Sequence, residues 1–167
     1  MPEFVTIGVY GFDEASFFAA LQAAQVDTFC DIRRRRGVRG REYAFANSNR
    51  LQARLASLGI RYVHRLDLAP SPALREVQHA IDAATHVARR QRTTLDPAFV
   101  AGYAATCLVD FDAVAFAASF GPDARVVALC CVEREPSACH RSLLAARLEA
   151  EVGGEVRELV PRLPSPP

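Results

Sequence analysis

The chain reads as a three-layer α/β sandwich built on a mostly parallel five-stranded sheet. Three observations carry that reading. Strand-like and helix-like segments alternate along the sequence. The strand segments, such as Val126-Val127-Ala128-Leu129, are continuously apolar, as in a sheet covered on both faces. The stretches rich in polar and reactive residues all fall just after a strand. At 167 residues the length suits one domain with a substantial core. We assign that domain to residues 1–160 and a proline-rich tail to 161–167, where Pro161, Pro164, Pro166 and Pro167 rule out a further helix or strand.

Strand signals lie at 4–9, 26–32, 60–63, 126–132 and 156–160. The first helix opens at an N-cap, Asp13, and sets Phe17, Leu21 and Ala24 on one stripe; the second carries Leu51, Leu55 and Leu58 and stops at Gly59. Past the third strand, Pro72 opens a long amphipathic helix with Leu74, Val77, Ile81, Ala84 and Ala88 at spacings of three and four. Two shorter helical patterns follow. One comes after Asp96-Pro97 with Val100, Ala104 and Cys107 on a stripe, and the other is capped by Asp110 and ends at Gly121-Pro122. Together these three form a helical insert between strands 3 and 4. The last helix is expected from about Ser137 to Ala150, with Gly153-Gly154 before the final strand. This element order predicts the strand order 3-2-1-4-5 and a ligand crevice at the carboxyl ends of strands 1 and 4.

Composition removes several classes. Half of the residues are hydrophobic and 23% are charged, which excludes disordered, collagen-like and coiled-coil chains. No apolar run approaches the roughly 18 residues that cross a bilayer, so no membrane partner is expected. The start, Met-Pro-Glu-Phe, lacks the basic residues of a signal peptide, and a cytoplasmic location is the expectation. Five cysteines are an odd number and read in that setting as free thiols or ligands. The net charge of +1 conceals an asymmetry: residues 33–41 hold six arginines and no acid, which leaves the remainder at −5. A local basic loop on an otherwise acidic domain points to an anion bound at one place. Every basic residue is Arg and none is Lys, which excludes lysine Schiff-base chemistry.

Four unusual stretches sit just beyond strand ends. They are Gly8-Val9-Tyr10-Gly11, Asp31-Ile32-Arg33 with the arginine loop behind it, His64, and the run from Cys131 and Glu133 through Pro136 to Cys139-His140-Arg141. In the last, a helix N-terminus with Arg141 in its first turn offers N–H groups, a positive dipole end and a guanidinium fork to a carboxylate or phosphate. The same surroundings favour a thiolate, which makes Cys131 or Cys139 a candidate nucleophile. His140 joins them as a catalytic candidate, and Asp31 or Glu133 is the candidate acid/base group. Arg33, Arg141, Gly8, Tyr10 and His64 form the expected anion-binding side. Cys30, Cys107 and Cys130 read as small core hydrophobes, and His79 and His86 as surface residues. The bland counterpart is a buried polar network in which Asp31, Arg33, Glu133 and Arg141 only tie strand ends together. Gly8 to Gly11 lacks the third glycine of a dinucleotide fingerprint. The spacing from Cys131 to Cys139-His140 matches no common zinc pattern, and no cofactor or metal is assigned.

These residues resemble the family catalogued as domain of unknown function 488, small prokaryotic proteins without an established activity. The resemblance covers most of the chain. It rests on Thr6-Ile7-Gly8, Asp31-Ile32-Arg33, a leucine-rich helix leading into Gly59-Ile60-Arg61-Tyr62, and Cys131 with Glu133 followed by Cys139-His140-Arg141. It departs at Val9-Tyr10, where members commonly carry a polar residue and Ser, and at Leu66-Asp67-Leu68, where many have Leu-Gly-Gly. The resemblance implies the α/β fold and a site at Asp31, Arg33, Cys131, Glu133, Cys139, His140 and Arg141, but no reaction.

Three functional readings follow, in this order. The first is an enzyme acting on a small anionic or phosphorylated ligand, such as a nucleotide or a nucleic-acid end. The second is a non-catalytic nucleic-acid-binding module that uses Arg34, Arg35, Arg36, Arg39 and Arg41, with Tyr43 and Phe45 stacking on bases. The third is a metal or thiol-redox site at the Cys, Glu and His cluster.

Overall fold

The computed structural model describes residues 1–161; residues 162–167 of the expected proline-rich tail lie outside the described part. The strands are β1 (Glu3–Gly8), β2 (Thr28–Asp31), β3 (Arg61–His64), β4 (Val126–Cys131) and β5 (Arg157–Leu159). The helices are α1 (Glu14–Ala23), α2 (Ser48–Ser57), α3 (Pro72–Ala84), α4 (Pro97–Cys107), α5 (Ala113–Ala118) and α6 (His140–Val152). All strands pair in parallel in one sheet of order β3-β2-β4-β1-β5. The three-layer α/β class and the helical insert stand, while the expected order 3-2-1-4-5 is corrected: β4, not β1, lies in the middle. Every residue of β4 is buried, whereas the edge strands β3 and β5 are mostly part-exposed. The most uniformly apolar strand therefore takes the position most fully covered. The connection from β1 to β2 skips one place and leaves the slot that β4 fills, a choice that local sequence does not encode.

Successive β-residues point to opposite faces, and this divides the core in two. Val5, Ile7, Phe29, Ala128 and Cys130 pack against α1 and α2 through Phe17, Leu21, Leu51 and Leu55. Phe4, Cys30, Val127, Leu129 and Cys131 pack against the insert and α6 through Phe99, Tyr103, Phe116, Leu144 and Leu148. At about 25 cal/mol per Å2 of apolar surface, burying side chains of this size contributes about 1.5–3 kcal/mol each. Cys30 and Cys130 are core residues as expected, and Cys107 is part-buried.

Helix ends follow local chemistry. Asp13 caps α1 in a reciprocal box, its Oδ1 accepting from Ser16 N at 2.7 Å while its own N–H donates to Ser16 Oγ at 3.1 Å. Three boundaries differ from expectation. Asp112, not Asp110, caps α5, its Oδ1 accepting from Ala115 N at 2.8 Å. The helix α3 ends at Ala84, short of Ala88, because His86 turns to φ 55°. It also buries Leu74, Gln78 and Asp82, leaving Val77 37% exposed, so two of its three buried residues are polar. The helix α6 opens at His140, after a 3-10 turn over Pro136–Ala138, which makes Cys139 its N-cap residue. Among the described residues no helix is long and apolar enough to cross a membrane.

Candidate functional site

The carboxyl ends of β2, β4 and β1 lie side by side, since Cys130 is in register with both Asp31 and Ile7. Above them opens a cavity of about 340 Å3. Its floor is Cys131 and Glu133, from the end of β4, with Cys139 and His140 at the start of α6. Arg33, Arg34, Arg35 and Arg39 wall it from the loop after β2, Arg75 from α3, and Arg89 and Arg92 from the segment after α3. Seven arginines thus face one carboxylate, Glu133.

The floor is tightly connected. Arg89 holds Glu133 Oε1 with Nε at 2.8 Å and Nη2 at 2.7 Å, which leaves Oε2 facing Cys131 Sγ at 3.5 Å. Burial alone would push this carboxyl up, but the charge and hydrogen bonding of Arg89 outweigh burial and bring it down to about 2. His140 Nδ1 faces two sulfurs, Cys131 Sγ at 3.7 Å and Cys139 Sγ at 4.0 Å, and its Nε2 lies 3.3 Å from the Ile32 carbonyl. Tyr103 packs its ring 5.3 Å from the imidazole and anchors its own hydroxyl on the Leu68 carbonyl at 2.8 Å. The two thiols are driven apart. Burial raises Cys139, but its hydrogen-bonding partner Cys131 and the charge of Arg141 outweigh that and hold it well below the usual thiol value. Cys131 is pushed up by the same pairing and by burial. Of the two sulfurs, Cys139 is the one whose surroundings favour the thiolate.

Several expected site residues serve other ends. The Asp31 carboxylate accepts from Arg33 Nε and Nη2, each at 2.8 Å, from Arg33 N at 3.1 Å and from Tyr62 Oη at 2.8 Å, and it is fully buried. With its lone pairs occupied it aims Arg33, whose Nη1 ties to the Ala46 carbonyl at 3.0 Å. Arg141 is corrected likewise. It lies beneath the floor, 1% exposed, and donates to the Glu133 and Arg134 carbonyls at 2.6 and 3.0 Å, so it shapes the β4–α6 loop and supplies charge under Cys139. Gly8 has a structural role: it lets the β1 end approach Glu133 so closely that a Cβ there would be driven into the Glu133 carbonyl oxygen. His64 latches the Arg33 carbonyl through Nε2 at 2.9 Å. Of the expected anion-binding residues, Arg33 and Tyr10 reach the pocket, and His79, read as a surface residue, reaches its wall.

The arginine loop is tied down in part. Arg34 cross-ties to the Pro70 and Ala69 carbonyls at 2.9 and 3.2 Å, and Arg36 reaches Tyr62 Oη at 3.5 Å. Tyr43 packs on Tyr10 at 5.1 Å, with Arg90 over both rings. Phe45 is 2% exposed in the core, which corrects its assignment as a base-stacking residue. Arg41 stands outside the pocket in a 3-10 turn over Arg41–Ala46.

Arg75, Arg89 and Arg92 were not among the expected residues. Their positions rest on a buried polar network: Gln78 Nε2 donates to Asp82 Oδ1 at 2.8 Å, Arg92 holds Asp82 Oδ2 at 2.8 Å, and Gln78 Oε1 accepts from Asp96 N at 2.9 Å. The available signal was two polar residues, Gln78 and Asp82, one turn apart on the inner face of α3, followed by Arg89, Arg90 and Arg92.

The Asp31-Ile32-Arg33 and Cys131 to Arg141 segments thus meet at one end of the sheet. No curated protein and no solved structure matches the chain. A family model described as domain of unknown function DUF488 matches residues 14–148, most of the chain and both of these segments, and the protein belongs to that family.

Proposed function

We propose that the pocket binds a small phosphorylated or otherwise anionic ligand, a nucleotide or a nucleic-acid end among the candidates, and that the protein is an enzyme acting on it over the Cys131, Glu133, Cys139 and His140 floor. One observation carries this reading: of the seven wall arginines, Arg35, Arg39 and Arg75 have no side-chain hydrogen bond or ion pair among the described residues. Arg75 is part-buried, and burial together with the nearby Arg89 and Arg35 guanidinia pushes it below its ordinary value. Unneutralised cations held this close repel one another, and an anion between them removes the repulsion while accepting their N–H groups. A cavity of about 340 Å3 suits a ligand of mononucleotide size.

The acid/base roles shift within this reading. Asp31 is saturated by its donors and Glu133 is held ionised far below neutral pH, so neither is poised for proton transfer near pH 7. The reactive groups left facing the ligand are the sulfurs and His140. The test is thermal denaturation of the full chain with inorganic phosphate, pyrophosphate or adenosine monophosphate. The expected result is a saturable rise in Tm that fades with added salt and is lost in Arg35→Ala/Arg75→Ala. No rise with any of the three anions overturns the reading.

A further inference from the structure

We propose that Cys131 Sγ, Cys139 Sγ and His140 Nδ1 form a three-ligand site for a thiophilic divalent cation of the zinc type, with its fourth position open to the arginine-walled pocket. The three ligand atoms all lie within 4.8 Å of one another and are buried. Tetrahedral zinc, with bonds of about 2.3 Å to sulfur and about 2.0–2.1 Å to nitrogen, sets ligand edges of about 3.6 Å for S···N and about 3.8 Å for S···S. The observed S···N edges are 3.7 and 4.0 Å, within a few tenths of an ångström of the coordinated values, and the S···S edge is no longer than 4.8 Å.

The surroundings of His140 support the same assignment independently. Its Nε2 faces the Ile32 carbonyl at 3.3 Å, an acceptor only, so the ring proton resides on Nε2 and the Nδ1 lone pair is turned toward the two sulfurs. A ligating histidine shows this arrangement, one nitrogen on the metal and the other donating to a backbone carbonyl. Among the described residues the hydrogen-bond partners of that buried lone pair are the two sulfurs, at 3.7 and 4.0 Å. Ligand spacing along the chain hides the site because its parts come from a strand end and a helix cap, not from a knuckle.

Charge and openness fit as well. Binding releases to solvent whatever protons the two sulfurs carry, with no change of oxidation state, and the two thiolates then cancel the charge of the cation. Arg141 lies beneath them. Glu133 stays outside the triangle, its Oε1 held by Arg89 and its Oε2 3.5 Å from Cys131 Sγ, lining the same cavity. Two sulfurs and one imidazole leave a coordination position for water or ligand, as catalytic zinc sites do. The assignment concerns the floor alone and does not depend on the anion proposed for the walls.

The test is titration of the full-length, chelator-treated, reduced protein with Co2+ under anaerobic conditions. The expected result is one Co2+ per chain, with a thiolate-to-cobalt charge-transfer band and the intense visible bands of a tetrahedral site, all bleached by stoichiometric Zn2+. Cys139→Ser and His140→Ala, shown folded by circular dichroism, should lose or weaken the bands, while Cys30→Ala and Arg35→Ala/Arg75→Ala should retain them. Absence of a sulfur charge-transfer band in the wild-type protein overturns the proposal, as does a band unaltered in Cys139→Ser. Absence of any cobalt spectrum in the reduced protein, together with conversion of Cys131 and Cys139 to a disulfide when hydrogen peroxide is added as two-electron oxidant, overturns it in favour of thiol redox chemistry. Loss of phosphate binding in the Arg35/Arg75 variant with its cobalt spectrum intact separates the two sites.

Discussion

Replacing Asp31 with asparagine tests whether this residue positions Arg33 or takes part in chemistry. The substitution keeps the shape of the side chain and removes one charge. It leaves the Arg33 guanidinium, itself 2% exposed, facing an amide, with only the Ala46 carbonyl as an undisturbed acceptor. Leaving one partner of a buried ion pair unpaired costs about 3–5 kcal/mol. In a domain of this size each kcal/mol lowers Tm by about 2–4 °C, so the variant should melt roughly 6–20 °C below the wild type. Calorimetry with urea titration measures the loss. The companion double variant, Asp31→Leu/Arg33→Met, should lose much less than Asp31→Asn, because no charge is then left buried. A drop in Tm of under about 3 °C for Asp31→Asn refutes the assignment, since an acid/base group at an open site tolerates an isosteric change without loss of stability. Equal losses in the single and double variants also refute it.

Four further outcomes follow from the same geometry. Gly8→Ala should destabilise the fold by about 1–3 kcal/mol or more in urea titration, because the Glu133 carbonyl that the new Cβ meets is backbone and cannot swing away. Arg75→Ala should weaken pyrophosphate binding about tenfold or more by calorimetric titration, one charge-assisted contact being worth about 1.5–3 kcal/mol, and leave Tm without ligand within about 1 kcal/mol of wild type. Asp82→Ala should free Arg92 and loosen the segment that carries Arg89, read as faster amide exchange over residues 85–95 with weaker anion binding. Burial pushes the Cys30 thiol up to about 12 from an unfolded value near 9, so its stabilising contribution is intact below pH 9 and is lost as pH rises towards 12. Urea titration of Cys30→Ala should show a flatter alkaline limb than the wild type.

Legibility differed by scale. Periodicity and caps placed α1, α2 and all five strands to within a residue or two, because those signals are local: the Asp13 box and the apolar runs of β4 need no partner to be recognised. The end of α3 was misplaced because its inner face is satisfied by Arg92 and the Asp96 backbone, partners invisible in a scan for apolar residues. The floor of the site was legible, since Cys131, Glu133, Cys139 and His140 have few structural reasons to fall so close in sequence. Its walls were not. Arg89 meets Glu133 across 44 residues, and only the fold of the helical insert brings them together. Roles were less legible than positions: Asp31 and Arg141 stand where expected, yet the hydrogen bonds they make go to Arg33, Tyr62 and loop carbonyls.

The corrected strand order bears directly on the chemistry. Parallel neighbours lie about 4.8 Å apart. With β4 between β2 and β1, Cys130 pairs with Asp31, and the Ile32 carbonyl at the tip of β2 reaches His140 Nε2 across a single inter-strand gap, at 3.3 Å. In the order 3-2-1-4-5, β1 would stand between them and move that carbonyl away by about one further strand spacing. His140 would then have no acceptor from β2, and nothing on that side would assign its proton to Nε2. Gly8 pairs with Cys131 from the other flank, where the absence of a Cβ lets the Glu133 backbone turn in and be capped by Arg141. The central place of β4 thus joins the two motifs into one site: β2 sets the tautomer of the imidazole, β1 sets the turn that carries Glu133, and α6 brings Cys139 and His140 over the strand end between them.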